Sequence, residues 1–145
     1  MFKHVLIATD GSDLARIAVE TGLELAKALG AKATAVTVTP TLASVAPGET
    51  EIGFPIEEYM RAAKENAADI LSSVSDMAKR IGIACTTIHE PDQYPADGIL
   101  SAAEKTGCDV IVMSSHGRRG LQRLFLGSQA QEVLTHSKIP VLICR

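Results

Sequence analysis

Near the start of the chain stands Val5-Leu6-Ile7-Ala8-Thr9-Asp10-Gly11-Ser12, an unbroken apolar run that ends in a polar turn. A strand with one wet face alternates apolar and polar residues. This run does not alternate, so it reads as a strand buried on both faces. Immediately after it Leu14, Ile17, Ala18, Thr21, Leu25 and Leu29 recur at helical spacing, with Ser12 as N-cap and Gly30 as a stop. A doubly buried strand feeding an amphipathic helix is the first half of a crossover unit, and a second strand is expected after Gly30.

The same alternation continues outward. Ala33 to Thr39 is a Val- and Thr-rich strand ended by Pro40. Pro40 to Pro55, with Gly48 and Gly53, carries neither periodicity and is long for a connection, so it reads as a lid. Met60, Ala63, Ala67, Ile70, Leu71, Val74, Ala78 and Ile81 mark a long helix from Ile56 that Gly82 closes, and Ile83 to His89 is the third strand. Pro95 opens a helix that turns Ile99, Leu100 and Ala103 inward and stops at Gly107; Asp109 to Met113 is again a buried strand. Ser128-Gln129-Ala130-Gln131 matches a capping box ahead of Val133 and Leu134, and Ile139 to Ile143 is the last strand. Strands alternating with crossover helices predict an α/β domain over 1–145, an open parallel sheet with helices on both faces. Ligands of such sheets lie outside the carboxyl ends of the strands, where the winding reverses.

Composition narrows the function. The chain has 145 residues, 46% of them hydrophobic and 21% charged, with a net charge of −3, so one domain can bury its own core and no positive field collects nucleic acid or an anionic membrane surface. Cys85, Cys108 and Cys144 form no C-x-x-C pair, which suits a reduced cytoplasmic setting and leaves Cys144, near the chain end, as the candidate redox thiol. His4, His89 and His136 fall on three different elements and propose no metal site. No apolar run is long enough to span a bilayer.

Chemistry concentrates at Met113-Ser114-Ser115-His116-Gly117-Arg118-Arg119-Gly120, followed by Gly127-Ser128 at the start of a helix. Glycines let backbone approach an anion, and the N–H groups and dipole of a helix start favour negative charge. The bland reading is a turn and an ordinary cap. Asp10 reads equally as a ligand contact or a turn-former; Arg118, Arg119 and Arg123 as phosphate partners or a solvated surface.

These stretches resemble the universal stress protein family from Lys3 to Ile143. The ATP-binding branch has a glycine, two residues, a glycine, nine residues, then glycine with Ser or Thr; Gly117, residues 118 to 126 and Gly127-Ser128 fit, while Ser114 stands in place of the first glycine. Ala8-Thr9-Asp10-Gly11-Ser12, Gly107-Cys108-Asp109 and Ser137-Lys138-Ile139-Pro140-Val141 carry further similarity. The resemblance implies a five-stranded sheet of order 3-2-1-4-5, with a crevice between Asp10 and the Gly117 loop. It implies an adenine-nucleotide site at Ala8, Thr9, Asp10, Val38, Met113, Ser114, Gly117, Arg118, Gly127, Ser128 and Gln129. In that site Asp10 meets the ribose or polar rim, Val38 the adenine, and the Ser114 to Arg118 loop with Gly127-Ser128-Gln129 the phosphates. ATP, with Mg2+ as an accompanying ion, is the implied cofactor. A homodimer through the strand Ile139 to Ile143 is the implied assembly.

Three functions compete: a nucleotide-binding regulatory protein of the stress response, a dimeric interaction protein with an empty site, and a slow ATP hydrolase. His116 is the general-base candidate, yet the sequence offers it no nucleophile or carboxylate partner. The chain lacks both G-x-x-x-x-G-K-[ST] and S-G-G-x-D-S, so fast ATP chemistry misses its usual parts.

Overall fold

The computed structural model describes residues 1–45, 48, 55–117 and 125–145. In chain order the elements are β1 (His4–Ala8), α1 (Asp13–Leu29), β2 (Lys32–Val38), α2 (Leu42–Val45), α3 (Ile56–Ile81), β3 (Cys85–Glu90), α4 (Pro95–Thr106), β4 (Val110–Ser114), α5 (Ser128–His136) and β5 (Val141–Cys144). The five strands form one sheet of order β3-β2-β1-β4-β5, and every pairing is parallel. Winding reverses between β1 and β4, which run side by side with Val5 opposite Val110 and Ile7 opposite Val112. A crevice outside their carboxyl ends results from that reversal.

Alternation along each strand divides the core in two. Val5, Ile7, Val110 and Val112 face α1 and α3, while Leu6, Val36, Ile111 and Met113 face α4 and α5. Both faces are dry, which is why the strands read as continuous apolar runs.

The helix punctuation expected from sequence is present: the Ser12 hydroxyl accepts from the Ala15 N–H at 3.2 Å, and Gly30, Gly82 and Gly107 end their helices in the left-handed conformation. Four details differ. Strand bounds move by one or two residues, because parallel pairing with the neighbour, not composition, sets where each strand ends; Ser114 joins β4 and Glu90 joins β3. The segment expected to be a lid without secondary structure contains the short α2, held by Thr41 and the buried Leu42, while residues 46–47 and 49–54 lie outside the described residues. In α1 the buried face is Ala15, Ala18, Val19, Gly22, Leu23 and Ala26, and the large Ile17 and Leu29 are exposed. Small residues win there because the helix lies tight on the sheet: a Cβ at Gly22 would stand 2.6 Å from Ile7 Cγ1. Lastly, the capping box does not form. Gly127 is the N-cap of α5, its carbonyl accepting the Gln131 N–H at 3.0 Å, and Ser128 is already inside the helix.

Candidate nucleotide site

The crevice is built from the ends of β1 and β4 and the start of α5. At the end of β1 the backbone folds back on its own side chains: the Gly11 N–H donates to Thr9 Oγ1 at 3.2 Å and the Ser12 N–H to Asp10 Oδ1 at 2.9 Å. Asp10 therefore forms the turn, as the bland reading had it. Its other carboxylate oxygen faces the partner strand's loop, for a Cβ placed on Gly117 would lie 2.6 Å from Asp10 Oδ2. A side chain at 117 would require the Asp10 carboxylate to move, which gives the glycine at 117 a structural reason.

At the end of β4, Ser114 is extended and paired with Cys144 of β5. Among the described non-glycine residues only Asp92 has a positive φ, so serine in the first glycine's place carries no backbone strain. Its hydroxyl donates to the His116 carbonyl at 2.8 Å, and the Ser115 N–H donates to the Cys144 carbonyl at 2.8 Å. Neither tie has a signature in the local residue pattern, and together they fold the loop over the strand end. The Ser115 hydroxyl lies 3.0 Å from His116 Nδ1. That is a serine–histidine pair, but Ser115 is only 6% exposed and the two residues are adjacent, so the hydroxyl is not presented to a substrate.

Gly127 takes a different part from the one its motif suggests. Its N–H donates to the Ser115 carbonyl at 2.8 Å, and a Cβ there would sit 3.0 Å from that oxygen and 3.4 Å from His116 Cα. Close approach of two backbones crowds a side chain at 127 and gives this glycine a structural reason of its own. The first-turn N–H groups of Ser128, Gln129 and Ala130 have no acceptor assigned among the described residues, and α5 has no side-chain cap. Free first-turn donors at a helix start are the groups that take an anion.

Ala8 and Met113 are buried on the α4 and α5 side of the sheet, and Val38 packs on the same side. A Cβ on Gly98 of α4 would lie 2.6 Å from Val38 Cγ2, so the first turn of α4 rests on Val38. The structure thus brings Asp10 beside Gly117, gathers Ala8, Val38 and Met113 on one side of the sheet, and joins Gly127 to Ser115. Gln129 is turned elsewhere: its Oε1 accepts the Ala96 N–H of α4 at 3.0 Å. Arg118, with Arg119 and Arg123, lies outside the described residues. A cleft of about 370 Å3 between α1 and α3 shares Thr9 and Ser12 with this region but opens on the opposite face of the sheet. Among the described residues no group of three or more His, Cys, Asp or Glu is arranged to hold a metal ion, and no helix is long and apolar enough to cross a membrane.

Comparison with known proteins fits this geometry. The family model described as the universal stress protein family matches residues 1–145. The chain belongs to this family. Among curated members, universal stress protein MJ0531 of Methanocaldococcus jannaschii is 34% identical over 148 residues, covering all of this chain and 83% of its own length. Universal stress protein YxiE of Bacillus subtilis is 32% identical over 149 residues, with both chains fully covered. Of solved structures, a universal stress protein in complex with cAMP superposes with a TM-score of 0.74 at 25% identity, over 99% of this chain and 97% of that one. UspA from Lactobacillus plantarum shares the fold with a TM-score of 0.83 at 22% identity, over 99% and 97% of the two chains.

Proposed function

We propose that this family member binds ATP or a related adenine nucleotide in the crevice between Asp10 and the Gly117 loop and serves as a cytoplasmic regulatory protein of the stress response. The observation that carries the reading is the uncapped start of α5, held beside the ends of β1 and β4 by the Gly127 to Ser115 hydrogen bond. A helix start whose first-turn N–H groups find no acceptor among the described residues suits phosphate, and the apolar Ala8, Val38 and Met113 suit a flat base. The neighbour solved with cAMP supports an adenine nucleotide as the ligand class. Mg2+ would accompany a triphosphate through its own oxygens and water, as it commonly does. Fast catalysis is not part of the proposal, since the chain carries neither the G-x-x-x-x-G-K-[ST] nor the S-G-G-x-D-S pattern and its Ser115–His116 pair joins adjacent residues with the serine buried.

The direct test is native mass spectrometry of the protein purified without added nucleotide, followed by denaturation and chromatography of what is released. An adenine nucleotide at near-stoichiometric level is expected. A mass equal to the bare chain, together with no heat on titration with ATP, would leave the family member as an interaction protein with an empty site.

A further inference from the structure

Two helix starts, those of α4 and α5, stand side by side at the crevice, and they are finished differently. In α4 the N-cap is Tyr94, which makes no side-chain cap bond, and the first helical residue is Pro95, which has no N–H. The first donor left is the Ala96 N–H, on a residue only 5% exposed. A buried backbone donor needs an acceptor, and Ala96 finds it outside its own helix, at Gln129 Oε1, 3.0 Å away. Because an N–H is the donor, the amide end facing it must be the oxygen.

We propose that Gln129 is a positioning residue: its side chain carries the spacing between the α5 start, where phosphates are read, and the first α4 turn, which supports the base-side Val38. This rests on the nucleotide reading above and gives Gln129 a role through α4 in place of a phosphate contact. The connection is continuous. Gln129 lies in the first turn of α5, its side chain holds Ala96, and Gly98 in the same α4 turn lies against Val38, where a Cβ would come within 2.6 Å. A nucleotide spanning both ends gains from having them at fixed separation, whereas a fragment that occupies one end does not.

The test uses the full chain with Gln129→Met, which keeps length and removes the acceptor, and Gln129→Glu, which keeps the acceptor. Amide hydrogen exchange at Ala96 should speed up about tenfold or more in Gln129→Met and stay at the parental rate in Gln129→Glu. ATP affinity of Gln129→Met should fall about fivefold, the size expected from loss of one capping interaction, while adenosine and tripolyphosphate, titrated separately by NMR, each stay within about twofold of the parent. Unchanged Ala96 exchange in Gln129→Met overturns the bridge. Tripolyphosphate weakening in step with ATP means a direct phosphate contact, and adenosine weakening in step means general damage; either overturns the positioning role alone. A parent that binds none of the three removes the nucleotide reading and the positioning role together.

Discussion

At the scale of single residues, the site is a matter of which atoms may touch. Gly117 and Gly127 both stand in close contact, one against the Asp10 carboxylate and the other against the Ser115 carbonyl. Gly127→Val should therefore push α5 away from the β4 loop and lower ATP affinity at least about tenfold, some 1.4 kcal/mol, and should also lower the melting temperature, because two backbones must separate. Calorimetric titration beside thermal melts checks both; a folded variant that binds ATP like the parent would put the phosphates elsewhere. Ser114→Gly should leave affinity within about twofold, since the serine is in ordinary extended backbone and only its hydroxyl tie to His116 is lost. His116→Ala should leave any slow ATP hydrolysis unchanged, measured as phosphate release at saturating ATP. Loss of turnover with binding intact would bring the enzyme reading back.

At the scale of elements, the strand–helix order was legible because doubly buried strands and amphipathic helices have different periods. Local caps such as Ser12 and Gly30 were legible, while the box expected at Ser128 gave way to Gly127 as N-cap, because the Gly127 N–H is tied to the Ser115 carbonyl of the β4 loop. What escaped was decided between elements. The α1 face shifted because helix and sheet meet over Gly22 and alanines, and the cap of α4 was invisible because its acceptor, Gln129, stands on another helix. The Asp10–Gly117 contact depends on strand order, which local pattern does not encode; it was legible only through the family resemblance, which implied the order 3-2-1-4-5 that the sheet has. Asp109 is a further tie of this kind, accepting the Lys3 N–H at 2.8 Å and the His4 N–H at 3.0 Å to fasten β1 to the start of β4. These backbone donors, that of Lys3 first, hold its carboxyl below the ordinary 3.8. A carboxyl depressed in the folded state contributes stability that is present in full above its unfolded value and lost as pH falls through the folded one. Asp109→Asn should thus melt lower at neutral pH and show a shallower loss of melting temperature below about pH 4, the ordinary carboxylate range. Parallel acid limbs for variant and parent would refute the tie.

At the scale of the whole molecule, the sheet has two edges, and their chemistry differs. On β3 the exposed residues are Thr86 and Thr87, hydroxyls that tolerate water; on β5 the run is Val141-Leu142-Ile143-Cys144, and Leu142 is 40% exposed. An apolar edge strand with free backbone donors and acceptors invites pairing, and a second copy of the same edge is the partner that closes the assembly by two-fold symmetry. We therefore propose a homodimer through the C-terminal strand, Ile139 to Ile143. Because Ser115 donates to the Cys144 carbonyl, pairing at β5 also steadies the strand against which the Gly117 loop is folded. Sedimentation at tens of micromolar, an order of magnitude suited to a stable interface, should give a dimer, and Leu142→Asp should shift it to monomer by weakening association at least tenfold, about 1.4 kcal/mol. The charge would be buried against its own symmetry mate, so each dimer suffers it twice. Thr87→Asp on the opposite edge should leave the dimer intact. A parent that sediments as a monomer, or a Leu142→Asp variant that stays dimeric, would exclude this strand as the interface.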